Sequence, residues 1–214
     1  PYTTLFRSGV DGAIFDLGLS STQLEVSGRG FSFQRDEPLH MTFSASPDAE
    51  TVTAASVLNQ WSEGSIATIL KGFGEERFAR SIAHAIIEAR KVGPFTTTGQ
   101  LTEVIRQSTP SWYHRGRTHF ATRSFQAIRM AVNDELGAIE RGIAGLLPHL
   151  TSGARIAVIT FHSIEDRLVK QLFRSLLKDG QVRLVNKKPI VPSEAELQVN
   201  PRSRSAKLRV IEKM

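Results

Sequence analysis

The chain has no cysteine, which excludes a disulfide framework, a thiolate zinc site and any cysteine nucleophile. It has no apolar run near the roughly 18–20 residues that cross a bilayer, so no membrane-spanning helix is expected. Residues 1–8 lack a basic n-region, a long apolar core and a small-residue cleavage site. They are therefore not read as a secretory signal but as a leader or non-native segment. Internal repeats and low-complexity tracts are absent as well. One stretch lacks acid altogether: residues 106–129 hold five arginines (Arg106, Arg115, Arg117, Arg123 and Arg129) and no Asp or Glu.

What is present describes a soluble globular protein. Its 214 residues, 40% hydrophobic and 22% charged, suit one domain or one domain carrying a smaller inserted one. The 27 Lys and Arg against 21 Asp and Glu give a net charge of +6. Residues 182–213 carry eight basic side chains against Glu194, Glu196 and Glu212, so outside the two basic windows 14 basic residues face 18 acidic ones, a net of −4. Positive charge concentrated in this way is the footprint of a partner with a phosphate backbone, because each neutralised phosphate releases counterions. Charge alone does not separate that reading from two solvated loops.

Residues 10–17, VDGAIFDL, form a short apolar run closed by Gly18, which predicts a buried strand that presents Asp16 at its end. Residues 19–50 show no sustained period and read mostly as loop. Helical spacing is expected over 54–61, 65–70 and 75–91, where Phe78, Ile82, Ile86 and Ala89 share a face, and over 101–107 behind a Thr97 to Gln100 capping box. Beyond the basic loop at 112–119, Phe125, Ile128, Val132, Leu136, Ile139, Ile143 and Leu146 step by three or four. That spacing predicts one long helix over 122–147, stopped by Pro148. Residues 155–160 predict a second buried strand. Ser163 then opens a helix with Glu165 and Asp166 in its first turn and Ile164, Leu168, Leu172 and Leu176 on its inner face. Residues 181–186 and 207–212 predict two more strands, paired with each other. The order is that of an α/β sheet with crossover helices.

Ligands in open α/β sheets bind beyond the carboxyl ends of the strands, which draws attention to Asp16-Leu17-Gly18 and to Phe161-His162-Ser163. Such residues also serve as ordinary caps, and position does not separate the two uses. His162, Ser163 and Asp166 stand too close at one helix start to align as base, nucleophile and orienter, and no G-x-S-x-G elbow is present. His114 and His119 sit among arginines, a poor setting for a metal and a better one for structural or phosphate-facing roles. Gly28-Arg29-Gly30 and Gly72-Phe73-Gly74 lack the strand-loop-helix context of a phosphate cradle. Trp112, Tyr113 and Phe120 interleave with arginines, a mixture that suits stacking of unpaired bases and also suits packing under a loop.

Six blocks, DLGLSSTQLE, GRGFSFQRDEPLHM, GFGEERFARSIAHAI, ATRSFQAIRMAVNDEL, ITFHSIEDRLVK and NPRSRSAKLRV, closely resemble, in order, the MraW/RsmH family of bacterial 16S ribosomal RNA cytosine-N4 methyltransferases. The resemblance covers about residues 10–214. It implies the C-terminal part of a class I S-adenosylmethionine-dependent methyltransferase (Rossmann-like) sheet, with a helical domain inserted after the fourth of seven strands. The expected division is residues 9–27 and 121–214 for the core and 28–120 for an inserted substrate-recognition domain. The resemblance assigns Asp16 a catalytic role, and Asp16 and Gln23 contacts to S-adenosyl-L-methionine. It assigns Phe31, Phe33, Arg35, Asp36, Arg123, His162, Ser163, Arg202 and Arg204 to the substrate. The partner it implies is 16S rRNA or the small ribosomal subunit in the cytoplasm, with no membrane and no metal.

The family's GTFGRGGHS-like segment, and the acid that holds the cofactor ribose on its next strand, have no counterpart before Val10. The expectation is a piece of a longer protein that lacks the first three strands and by itself binds cofactor weakly. The family's RDGPLDMRM reads RDEPLHMTF here, departing at Glu37, His40, Thr42 and Phe43. Methylation at cytosine C5 would need a thiolate, and the chain has none. DNA N4-cytosine methylation is disfavoured because DLGLSS stands where S/D/N-P-P-Y/W is usual. A non-catalytic RNA-binding or ribosome-assembly module is the alternative reading.

Overall fold

The computed structural model describes residues 9–48 and 50–214, so the leader expected at residues 1–8 lies outside the described residues. In chain order the first elements are β1 (Val10–Asp16), α1 (Ser21–Glu25), α2 (Ala54–Gln60), α3 (Glu63–Gly74), α4 (Ala79–Val92) and α5 (Thr98–Gln107). A 3-10 segment at Ser111–Arg115 leads to α6 (Thr122–Val132), α7 (Glu135–Leu146), β2 (Leu150–Thr160) and α8 (Ser163–Lys178). Then come β3 (Val182–Leu184), α9 (Glu194–Val199), a second 3-10 segment at Pro201–Ser205, and β4 (Lys207–Lys213).

The four strands form one sheet in the order β1-β2-β4-β3. β1 runs parallel to β2, with Phe15 opposite Val158 and Asp16 opposite Ile159. β4 is antiparallel to both of its neighbours. Two parallel neighbours require a long crossover, and the segment from α1 to α7 supplies it. The result is a mixed α/β sheet, the class that the sequence predicts. On one face of the sheet Ile156, Val158 and Ile211 are buried with Ile139 and Ile143 of α7 and with Val169 and Phe173 of α8. The apolar period of two on the strands meets the period near 3.6 on the helices, which is why these elements seal one core. The other face is less covered: Ile14 is 76% exposed.

The chain separates into two compact units, Leu19–Glu135 and a sheet unit made of the residues up to Gly18 with Leu136–Met214. The helical unit has its own core, in which Leu58, Ile66, Leu70, Ile82, Ile86, Leu101, Ile105 and Ile128 are buried. α3 lies close to α6: a Cβ on Gly74 would stand 2.5 Å from the Arg123 carbonyl oxygen, so the crossing admits only glycine. The expected Thr97 to Gln100 capping box is present, and α5 begins inside it at Thr98, earlier than the expected 101.

The structure corrects four local expectations. The single helix over 122–147 is two helices. The Asn133 amide donates to the carbonyls of Met41 (2.7 Å) and Arg129 (2.9 Å) and accepts from the Phe43 N–H (2.8 Å), while Asp134 takes a left-handed φ of 45°. Asn and Asp side chains compete with the helical ladder in this way, and the apolar spacing continues across the break, hiding it from periodicity. α6 therefore belongs to the helical unit and not to the core in which the sequence reading places it. The helix expected from residue 75 begins at Ala79, because Glu75 ends α3 with a φ of 48°. The loop over 19–50 contains α1, whose Ser20 and Gln23 form a capping box. β2 begins at Leu150, earlier than its apolar run indicates.

Ile156 has no exposed surface, whereas Ile14 is mostly in solvent. Ile156→Ala should lower the stability of the sheet unit by about 2–5 kcal/mol, and Ile14→Thr should change it by less than about 0.5 kcal/mol. Urea unfolding followed by far-ultraviolet circular dichroism measures both; equal losses would show that the β1 face is covered.

Candidate active site at the carboxyl edge of the sheet

Parallel pairing brings the carboxyl ends of β1 and β2 to one edge. Asp16 is exposed at the tip of β1, and the backbone continues in pairing by one step, with the Leu17 N–H donating to the Ile159 carbonyl (3.1 Å). Gly18 then turns with a φ of +95°, and a Cβ there would meet the Phe161 ring at 3.8 Å. Asp16 and the Phe161-His162-Ser163 turn are thus neighbours at this edge. Thr160 pairs with Lys207, so the segment carrying Arg202 and Arg204 enters β4 from the same end.

The β2–α8 turn is built by Glu165, which is 1% exposed. Its carboxylate accepts from the backbone N–H of Phe161 (2.9 Å) and His162 (3.4 Å), and its own N–H donates to His162 Nδ1 (3.3 Å). Nδ1 is therefore the acceptor that caps the helix start. Nε2 lies 3.1 Å from Glu165 Oε1 without hydrogen-bond alignment. His162, not Ser163, is the N-cap of α8. His162 and Glu165 together fix the turn at the strand end. Ser203 is buried and its hydroxyl donates to the Asn200 carbonyl (2.8 Å), while Arg202 and Arg204 on either side are exposed.

One group that sequence reasoning missed is Asp166. Its carboxylate accepts from Arg209 Nε (2.7 Å) and Lys207 Nζ (3.1 Å), a clamp between α8 and β4. Burial raises the Asp166 pKa, and the hydrogen bonds and charges of Arg209 and Lys207 outweigh it, leaving the carboxyl below the usual aspartate value. In sequence Asp166 reads as an acid in a helix first turn and as a triad member excluded by crowding, and its actual partners lie far along the chain.

The remaining sequence-selected residues stand in the helical unit. Gln23 closes the α1 capping box, its Oε1 accepting from the Ser20 N–H at 3.0 Å. Phe31 is buried, stacks on Phe43 (5.7 Å) and lies under the Arg29 guanidinium. Phe33 stacks on His119 at 4.2 Å and meets Phe125 edge-on. The Arg35 carbonyl accepts from the Thr98 hydroxyl (2.7 Å), and the Asp36 carboxylate accepts from the Gly99 N–H (2.8 Å). Hydrogen bonds from Thr97 and then Gly99 hold the Asp36 carboxyl below the ordinary range. Asp36 thus caps the start of α5. Of the departures in this loop, Glu37 accepts from the Gly30 N–H (2.9 Å) and Thr42 is buried. Arg123 donates to the Glu75 carbonyl (2.9 Å).

In the same unit Tyr113 donates to buried Glu76 (3.0 Å to each oxygen). Burial first, and then the Glu76 charge and hydrogen bond, push its pKa up to about 12. Burial and the neighbouring His114 lower the His119 pKa, which keeps that ring neutral at pH 7.

Comparison with known proteins agrees over nearly the whole chain. A model of the MraW methylase family matches residues 3–214. The ribosomal RNA small subunit methyltransferase H of Paenibacillus sp. (strain JDR-2) is 49% identical over 220 residues, covering 96% of this chain and 69% of that protein. The proteins of the same name from Neorickettsia sennetsu and Brevibacillus brevis are 48% and 43% identical; this chain spans 67% and 70% of their lengths.

The Asp166 clamp has a testable pH signature. A depressed folded-state pKa contributes stability above the unfolded value near 3.9, lost as pH falls through the folded value. Asp166→Asn leaves Arg209 buried without its counter-charge, at a cost of about 3 kcal/mol at pH 7. Urea midpoints of the two forms should begin to converge as pH falls below about 4, the unfolded-state value, and should meet only below the depressed folded-state pKa, where protonation abolishes the wild-type advantage. A gap independent of pH would show that the carboxylate charge does not carry the effect.

Proposed function

Since the chain belongs to the MraW methylase family, we propose that it forms part of an enzyme that transfers a methyl group from S-adenosylmethionine to N4 of a cytidine in the decoding region of 16S rRNA. The observation that carries this reading is the exposed Asp16 carboxylate at the carboxyl edge of two parallel strands, within a chain 43–49% identical to proteins named for ribosomal RNA methylation.

The fit to the cofactor rests on sign and place. S-adenosylmethionine offers an ammonium, hydroxyl donors and a sulfonium cation, and Asp16 is an anionic acceptor where α/β folds bind ligands. When bound, the cofactor supplies an electrophilic methyl group. The cytosine amine is a weak nucleophile because its lone pair is delocalised into the ring. A carboxylate that accepts a hydrogen bond from that amine localises the lone pair and offsets the positive charge that develops on nitrogen. Asp16 fills that role, and the His162 turn, fixed by Glu165, keeps the adjacent edge open. The Leu19–Glu135 unit recognises the RNA, and Arg202 and Arg204 meet its phosphates. The small ribosomal subunit as substrate implies the cytoplasm.

Small-subunit RNA from a strain lacking the gene should have lost one N4-methylcytidine, restored by the wild-type gene and not by an Asp16→Asn allele. Nucleoside mass spectrometry reads the result, and an unchanged profile in the deletion strain would overturn the proposal. Arg202→Ala with Arg204→Ala should weaken RNA binding across sequences and flatten its log-log salt dependence by about 0.7–0.9 per lost phosphate contact. Retained affinity and slope would return both arginines to ordinary surface charge.

A further inference from the structure

The helical unit contains a cavity of about 280 Å³ that the activity above does not use. Arg77, Arg117 and Arg123 line it together with Trp112, Tyr113 and His119, and no carboxylate is among its lining residues. Glu76 beneath it is 3% exposed and is engaged by the Tyr113 hydroxyl and the Phe78 N–H (3.1 Å), which fixes the floor of the cavity. Arg77 also lines a second, larger depression, where Lys71 and Arg80 stand with Glu75 and Glu76, so of the two only the first cavity has an acid-free lining.

The aromatic part is as specific as the charge. Trp112 is 54% exposed although its edges are braced by Phe78 (5.7 Å) and Tyr113 (6.1 Å). The Arg77 guanidinium stands 5.2 Å from its ring centre. A tryptophan that only filled space would not leave half its surface in water beside three guanidiniums. His119, stacked on Phe33 and Phe120, adds a second aromatic wall. Phosphate-binding cations alternating with braced aromatic faces are what successive nucleotides of an unpaired strand require: each phosphate takes a guanidinium and each base takes a π-face.

We infer that this cavity is a binding subsite for single-stranded RNA, in which Trp112 stacks an unpaired base and Arg77, Arg117 and Arg123 hold the flanking phosphates. The inference rests on the RNA-substrate reading and adds to it a place, outside the sheet edge, where the strand is gripped.

The test is fluorescence anisotropy of the chain with a labelled single-stranded oligoribonucleotide of about ten nucleotides, and with an abasic strand of the same length, over a range of salt. Trp112→Ala should weaken binding of the base-bearing strand roughly 5- to 100-fold and leave the abasic strand unaffected. Arg117→Glu, at an exposed position, should weaken both strands and reduce the log-log salt slope by about 0.7 or more. Trp61, the other tryptophan, reports in each variant that the helical unit still melts as the parent does. The inference is overturned if the parent binds neither strand, if both variants keep parental affinity and slope, or if Trp112→Ala weakens the abasic strand equally. The N4-methylcytidine content of small-subunit RNA from the deletion strain, measured in parallel with and without the wild-type gene, separates the two readings. Methylation restored by the gene with variant-insensitive binding removes the subsite alone, and variant-sensitive binding with an unchanged nucleoside profile in the deletion strain removes the methyltransferase reading alone.

Discussion

The parallel register of β1 on β2, with Asp16 opposite Ile159, is the constraint on which the sheet edge depends. Parallel neighbours put their carboxyl ends at one edge and forbid a tight connection between them. The first consequence sets an exposed carboxylate next to the β2–α8 turn. The second obliges the chain to travel far between the two strands, and the helical unit with its separate core is that excursion. A hairpin joining the same strands would have placed Asp16 at the opposite end from His162.

Electrostatics in this chain works at two levels, and net charge shows only their sum. Of the arginines in the acid-free window, Arg129 is drawn into a largely buried pair with Glu135 (2.7 Å) and Arg106 pairs with Glu103 on the surface of α5. In the C-terminal window Lys207 and Arg209 are bound to Asp166, and Arg183 to Glu212. These cations stabilise the fold. Arg77, Arg117 and Arg123 instead share one cavity rim. Concentration of charge in sequence therefore overstates the surface offered to a phosphate backbone, and it omits Arg77, which lies outside both windows.

The same group often serves the scaffold where sequence alone suggests a ligand. Asp36 caps α5, Gln23 completes the α1 capping box and His162 caps α8. A side chain whose acceptor already meets a backbone N–H positions its loop, and the loop in turn determines what a substrate meets. Phe31 and Phe33 act likewise, fixing the GRGFSFQRDEPLHM segment through stacking on Phe43 and His119.

The sequence by itself determined the α/β class, the strands ending at Asp16 and Thr160, the paired C-terminal strands, the α5 capping box and the family, because each is written in residues close together along the chain. Alternating apolar residues specify a strand and a capping box specifies a helix start without reference to distant partners. Only the tertiary structure decided where α6 ends, because Asn133 breaks the helix by bonding Met41 and Phe43 of a remote loop. It alone joined Asp166 to Lys207 and Arg209, and Arg77 to Trp112. Those pairings depend on strand order and helix crossing, which bring together side chains that local sequence periodicity cannot relate.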